Sequence, residues 1–209
     1  MIIAIDGPAA AGKGTLARQI ADHFNYAYLD TGSLYRGVAF LVLKNGGDPA
    51  SENDALAAAR QLELDDLADN SLRTAKIGQA ASIVAQIPAV RTEILNFQRR
   101  FAAQLPGAVL DGRDIGTIVC PDADIKLFVT ASDEERAKRR HAELMARNEP
   151  CEYETVLADL RERDRRDRER AVAPLVAAQD AHLLDTSKLD IEAAFQAAID
   201  IISNHIKGD

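Results

Sequence analysis

Lys13 between two glycines closes the stretch of this chain best suited to chemistry, Gly7-Pro8-Ala9-Ala10-Ala11-Gly12-Lys13-Gly14-Thr15. Glycines at both ends let the backbone wrap an anion with its N–H groups turned inward. The apolar run Ile2 to Ile5 before it reads as a short buried strand, and Thr15 to Ala21 after it has helical spacing. A helix N-terminus therefore adds partial positive charge, and Lys13 reaches the outer phosphates of a nucleoside triphosphate. The stretch departs from G-x-x-x-x-G-K-[ST] at one place: Gly14 stands where Ser or Thr is expected, and Thr15 follows one position later. The alternative is a glycine-rich turn that binds nothing, which is rare with strand, helix and lysine all in place.

Moving a phosphoryl group needs positive charge around it and a site free of competing water. Arg36, Arg91 and Arg113 supply charge from separate places, and Arg136, Arg139 and Arg140 share a helix face at i, i+3 and i+4. The run Arg161 to Arg170 holds six arginines and four acids. Most of it reads as a solvated helix laced with ion pairs. Arg163, Asp167 and Arg170, at i, i+4 and i+7, fall on one face, where the acid can orient two guanidiniums toward a phosphate. Asp111 ends an apolar strand and, with Thr15, is the candidate for holding Mg²⁺, Asp111 through water. Its alternative is a turn former before Gly112. Asp114 can accept from the exocyclic amine of a base. No Asp-x-x-Gly occurs, Ser187-Lys188-Leu189-Asp190 reads as a loop with Asp190 an N-cap, and the four histidines form no metal or triad pattern.

These residues need a scaffold that brings distant segments to one edge. Five strands can be placed, Ile2–Asp6, Ala27–Leu29, Ala108–Asp111, Ile125–Thr130 and His182–Asp185, with helical segments between them. The alternation predicts an α/β fold, a parallel sheet with helices on both faces. Ligands on such sheets sit beyond the carboxyl ends of the strands, and four of those ends are polar: Asp6-Gly7, Asp30-Thr31-Gly32, Asp111-Gly112-Arg113-Asp114 and Asp185-Thr186. Residues 33–105 form a long helical excursion, with Ala80 to Arg91 and Thr92 to Phe101 helical and a break at Pro88. Residues 133–172 form a second, highly charged excursion. The last helix, Ile191 to Ile206, places Ile191, Phe195, Ile199, Ile202 and Ile206 on one core-packing face.

A chain of 209 residues with 47% hydrophobic and 28% charged residues can bury a proper core. No apolar run approaches the roughly 20 residues of a membrane span, and the start, leading straight into the loop, reads as structure rather than signal peptide. Cys120 and Cys151 lack metal spacing and read as idle thiols of a cytoplasmic enzyme. A net charge of −8 argues against a nucleic-acid polymer as partner.

Over nearly its whole length the chain resembles the cytidylate kinases, a family of nucleoside monophosphate kinases. The resemblance is carried by Asp6-Gly7-Pro8 through Thr15, by Leu29-Asp30-Thr31-Gly32 with Tyr35-Arg36, by Asp111-Gly112-Arg113-Asp114-Ile115-Gly116-Thr117, and by Arg163-Asp164-Arg165-Arg166-Asp167-Arg168 running on to Arg170-Ala171-Val172-Ala173-Pro174-Leu175. It implies a P-loop kinase fold with a five-stranded parallel sheet: a core of residues 1–32, 106–132 and 173–209, a monophosphate-binding domain over 33–105 and an Arg-rich lid over 133–172. It implies ATP on Gly7, Pro8, Ala9, Ala10, Ala11, Gly12, Lys13, Gly14 and Thr15, with Arg139 among the lid residues over it. It implies CMP or dCMP on Thr31, Arg36, Ser82, Arg91, Arg113, Asp114, Arg163, Asp167 and Arg170. Lys13, Arg113 and Arg170 are then the catalytic group, with Mg²⁺ accompanying ATP. Ser82, Arg91 and Asp114 match positions that read the cytosine edge, where the carbonyl of uracil would be repelled by Asp114.

The triple alanine is plainer than the family's mix with Ser or Gly, although methyl groups are expected to fit. The monophosphate domain looks short, with helix or loop over Arg60 to Gln79 where many relatives have a small extra sheet. A monomer is expected. The rival readings are another small-molecule or nucleotide kinase, differing only at the base-reading trio, a nucleotide switch, and an RNA-binding protein using the Arg-rich helix.

Overall fold

The computed structural model describes residues 1–63, 67, 72 and 74–208. Five strands, β1 (Ile2–Asp6), β2 (Ala27–Asp30), β3 (Ala108–Gly112), β4 (Ile125–Thr130) and β5 (His182–Asp185), form one all-parallel sheet in the order β2-β3-β1-β4-β5. The central strand β1 is covered on both faces, so it reads as a continuous apolar run. Its side chains still alternate: Ala4 joins a core with Leu29 and Leu110, whereas Ile3 and Ile5 join Val109, Leu127 and Val129 on the opposite face.

The first face is packed by α2 (Thr31–Lys44), α3 (Glu52–Gln61), α4 (Ala75–Val84) and α5 (Pro88–Ala102), through Val38, Val42, Ala55, Val84 and Val90. The second is packed by α1 (Lys13–Phe24) and α8 (Ile191–Gly208), through Leu16, Ile20, Ala198 and Ile202. The helices α6 (Asp133–Ala146) and α7 (Tyr153–Glu169) form an antiparallel-looking charged pair with their own small core of Ala137, Leu144, Val156, Leu157 and Leu160, which Ala9 of the glycine-rich loop joins. Local signals set the helix starts: Ser51, Thr74 and Ser132 accept from Asp54, Ile77 and Glu135 backbone N–H groups, and Asp190 accepts from Ala193.

The strands fall where the sequence places them, β2 and β3 each running one residue further. The helical break does not. Helix α4 ends at Val84, and Pro88 opens α5, whose interior holds Arg91. Proline suits a first helical position because its missing N–H is unpaired there anyway. The last helix also turns differently: Ile191 and Ile206 are exposed, and its buried line is Ala194, Ala198 and Ile202. The small side chains allow α8 to lie close to the sheet. Of the stretch expected to be helix or loop between Arg60 and Gln79, residues 64–66, 68–71 and 73 lie outside the described residues, and 75–79 are helical as the start of α4. Cys120 and Cys151 are free thiols.

Candidate active site

Beyond the carboxyl ends of β1 and β3 lies a polar cavity of about 360 Å³. Gly7 begins the loop at its base with φ 145°, and a Cβ there would sit 1.9 Å from the Val129 carbonyl oxygen. No other residue fits that close passage of two backbones. Ala10 also takes a left-handed conformation, φ 59°, so the plain triple alanine fits sterically at some backbone cost. Lys13 folds back inside the loop, its Nζ donating to the Pro8 carbonyl at 2.8 Å, and is buried.

Gly14, the departure from the usual motif, faces Asp111. A Cβ at Gly14 would lie 3.2 Å from Asp111 Oδ2 and 3.6 Å from the Tyr28 hydroxyl. A side chain there would press on that carboxylate, which would have to give by a few tenths of an ångström. Tyr28 donates to Asp111 Oδ2 at 3.3 Å, and Thr31 Oγ1 donates to the Asp111 carbonyl at 2.7 Å. Burial pushes the Asp111 carboxyl up, with Asp30 adding to it, and pulls the Lys13 ammonium down, with Arg113 adding to that. A polyanion entering between them would restore the charge of Lys13.

The opposite wall carries the cations. Arg113 Nε donates to Asp167 Oδ2 at 3.0 Å, and Arg163 Nε lies 3.9 Å from the same oxygen without a hydrogen-bond partner. Burial lowers Arg163 to about 10, with Arg113 contributing, which leaves it charged at neutral pH. Arg36 stands 3.7 Å from Asp30. Deeper in, Asp114 is held by Arg91 Nη2 and, at 3.4 Å, by Arg170 Nη2, while the Arg91 guanidinium lies over the Tyr35 ring at 5.4 Å. Thr31, Arg36, Ser82, Arg91, Arg113, Asp114, Arg163, Asp167 and Arg170, all singled out in the sequence, line this one cavity. Arg163 and Asp167 of α7, with Arg170 just past its end, therefore point into the site, and Arg165 forms the expected surface ion pairs with Glu162 and Glu169.

A second cavity of about 670 Å³ opens on the other side of the loop. Leu16, Leu189, Ile191 and Ala194 give it apolar walls, and Arg139 lies at its edge, donating to Thr186 Oγ1 at 3.0 Å and to the Thr186 carbonyl at 2.7 Å. A flat apolar group with a polar rim fits such a slot. The two cavities meet along Ala10, Gly12 and Thr15, with Arg140 and Glu143 facing both.

Arg136 does not join its helix-mates. It is buried at 1% exposure, ion-paired to Asp164 of α7 at 2.6 Å and donating to the Ala9 carbonyl at 3.1 Å. It braces the loop against α6 and α7. Sequence reading missed this brace, the Tyr28 contact, and Asp6, whose oxygens accept from Ile115 N and Gly116 N at 2.8 Å each. Burial pushes the Asp6 carboxyl up to about 6 even so. Asp6 had a visible signal, an acid at a strand end before Gly7; Tyr28 and Arg136 had none.

The donor set around Asp111 and Thr15 is oxygen only, which suits Mg²⁺. Among the described residues no cluster of three His, Cys, Asp or Glu side chains could hold a metal ion.

The sequence model of the family described as "Cytidylate kinase" matches residues 3–204. The cytidylate kinase of Paramagnetospirillum magneticum (strain ATCC 700264 / AMB-1) is 61% identical over 206 residues, covering 97% of this chain and 98% of that protein. That of Rhodopseudomonas palustris (strain BisB18) is 56% identical over 202 residues, covering 97% and 95%. A crystal structure of an uncharacterized protein from Eubacterium ventriosum ATCC 27560 is similar in fold, with TM-score 0.56 and 17% identity over 97% of this chain and 98% of that one.

Proposed function

The chain belongs to the cytidylate kinase family, and from that premise we propose that it transfers the γ-phosphoryl group of ATP to CMP or dCMP, giving ADP and CDP or dCDP. The observation that carries this reading is the meeting of an apolar-walled cavity and an arginine-lined cavity at one glycine-rich loop. The adenosine of ATP occupies the first, its phosphates run along Gly7–Thr15, and CMP occupies the second. In this reading residues 33–105 hold the monophosphate, 133–172 act as the lid, and the remainder is the core.

An oxygen of the CMP phosphate attacks the γ-phosphorus as the bond to the β,γ-bridging oxygen breaks. That phosphate is already nucleophilic, so positioning and charge neutralisation suffice without a dedicated base. Arg36, Arg113 and Arg170 orient the acceptor phosphate, with Arg163 and Asp167 beside it toward the sugar. Lys13 neutralises charge on the transferred group. Thr15 and, through water, Asp111 would hold Mg²⁺, which would supply charge neutralisation at the ATP phosphates. Arg91 donates to N3 or O2 of cytosine, and Asp114 and Ser82 take its amine. One copy of the chain supplies every residue named, so the reaction needs no partner subunit. We place it in the cytoplasm; no described helix is long and apolar enough to cross a membrane.

The test is ADP formation from Mg-ATP with CMP, dCMP, UMP, AMP or no acceptor. Strong stimulation by CMP and dCMP supports the reading. Stimulation by another acceptor instead overturns Ser82, Arg91 and Asp114 as cytosine readers.

A further inference from the structure

Beside the acceptor cavity three polar links tie α4 to α7 and to the loop that precedes it. Gln79 Nε2 donates to Asp159 Oδ2 at 2.9 Å, the Ala75 N–H to Glu149 Oε2 at 3.3 Å, and Arg166 Nε to Ser82 Oγ at 3.2 Å. The Gln79 link lies on the exposed surface. The third ends on Ser82, which is 2% exposed and lines the cavity. Arg166 itself does not line the cavity.

A serine inside a helix commonly returns its proton to the carbonyl one turn back. Among the described residues Ser82 Oγ only accepts, from Arg166. A hydroxyl has one proton and two lone pairs. With one lone pair held by a charged N–H, the proton and the other lone pair are left for whatever fills the cavity, in an orientation set by Arg166. The guanidinium is steadied in turn by Glu162 on its own helix, 3.6 Å away.

We propose that Arg166 is a positioning residue for base discrimination: from α7 it orients the Ser82 hydroxyl on α4, so that recognition of the base is complete only when the two helices are docked. This rests on Ser82 being a base-reading residue, as argued above. Arg166 touches no substrate atom; its effect runs through one oxygen. Lysine cannot replace it, since Lys places a methylene where the Nε–H stands.

The experiment compares Ser82→Ala, Arg166→Ala, Arg166→Lys and the Ser82→Ala/Arg166→Ala double variant by kcat/KM for CMP and for UMP and by KM for ATP. Loss of a charge-assisted hydrogen bond to one reading group predicts a fall of about 5- to 20-fold in the CMP-to-UMP preference for each single variant. KM for ATP stays within about twofold, and the double variant is no worse than Ser82→Ala, because both changes remove one interaction. If Ser82→Ala shifts the preference and Arg166→Ala does not, or if their effects multiply, the proposal fails while the base-reading role stands. If Arg166→Ala lowers CMP and UMP efficiencies equally, or Arg166→Lys restores the preference, Arg166 is a general closing contact and the proposal is wrong. If Ser82→Ala leaves the preference unchanged, the reading of Ser82 fails and the proposal falls with it.

Discussion

Replacing Arg136 with methionine removes the brace between the loop, α6 and α7 while filling much of its volume. The guanidinium makes four contacts: Asp164 at 2.6 Å, Asp133 at 2.5 Å, and the Ala131 and Ala9 carbonyls at 3.1 Å each. Asp133 is half-exposed and returns to water at little cost. Asp164 is 2% exposed, and its Oδ1 already lacks a partner. Stranding such a carboxylate costs about 3–5 kcal/mol, near the lower end here because Arg168 stands 4.0 Å away. For a chain of this size each kcal/mol moves Tm by about 2–4 °C, so a cost of about 3 kcal/mol makes Arg136→Met melt roughly 6–12 °C lower. Replacing both partners, as Arg136→Met with Asp164→Leu, removes the stranded charge and recovers most of that loss. Thermal melting by circular dichroism, with a urea titration to check two-state behaviour, measures both. A single variant within about 3 °C of the parent, or a double variant whose loss is the sum of the two singles, would refute the claim that a desolvated ion pair holds the loop to these helices.

Lys13→Ala is expected to lower turnover at least about 100-fold, the scale for losing one preorganised charge at a phosphoryl group, with Tm unchanged or higher because a buried ammonium is removed; near-normal turnover would sink the loop's role. Asp114→Asn should reduce the CMP-to-UMP preference about tenfold or more, since charged hydrogen bonds are the strong ones, while KM for ATP holds; an unchanged ratio counts against base reading. Burial works to raise the Asp167 carboxyl, yet Arg113, Arg163 and Arg170 together hold it below the ordinary range. The unfolded chain then binds the proton first, so stability from this group is present above about pH 4 and lost as pH falls through the lowered value. The Tm gap between the parent and Asp167→Asn should accordingly narrow from pH 6 to pH 3, and a constant gap would contradict the sign.

Period and punctuation made the strands legible. Ala27–Asp30 and Ala108–Gly112 are short runs ending in polar residues, and Asp30, Thr31 and Asp111 to Asp114 at those ends line the cavity. The helix spacing of Arg163, Asp167 and Arg170 likewise carried over, because i, i+4 and i+7 share a face whatever the tertiary partners are. Pro88 inside a helical pattern predicts a break, whereas it is the first residue of α5, three residues past the end of α4 at Val84. Local spacing also grouped Arg136 with Arg139 and Arg140, yet whether a helical arginine faces solvent, ligand or core depends on a partner elsewhere, and Asp164 lies 28 residues on. Gly14 departs from the usual motif, and only the fold shows that Asp111, nearly 100 residues on in the neighbouring strand, lies 3.2 Å from where its Cβ would be.

The register of β1 has a consequence for how the chain is made. Its neighbours are Ala108–Gly112 on one side and Ile125–Thr130 on the other. Ile2 thus waits for Ala108 to be synthesised before it can find any sheet partner, which at about 5–20 residues per second is roughly 5–20 s. For that interval the most apolar strand of the protein, with the glycine-rich loop attached, is unpaired on the nascent chain. In that interval α1 is the first element that can shelter the face of Ile3 and Ile5, and the residues that keep α1 apolar on that face, Leu16, Ala17 and Ile20, serve the newborn chain before they serve the finished enzyme.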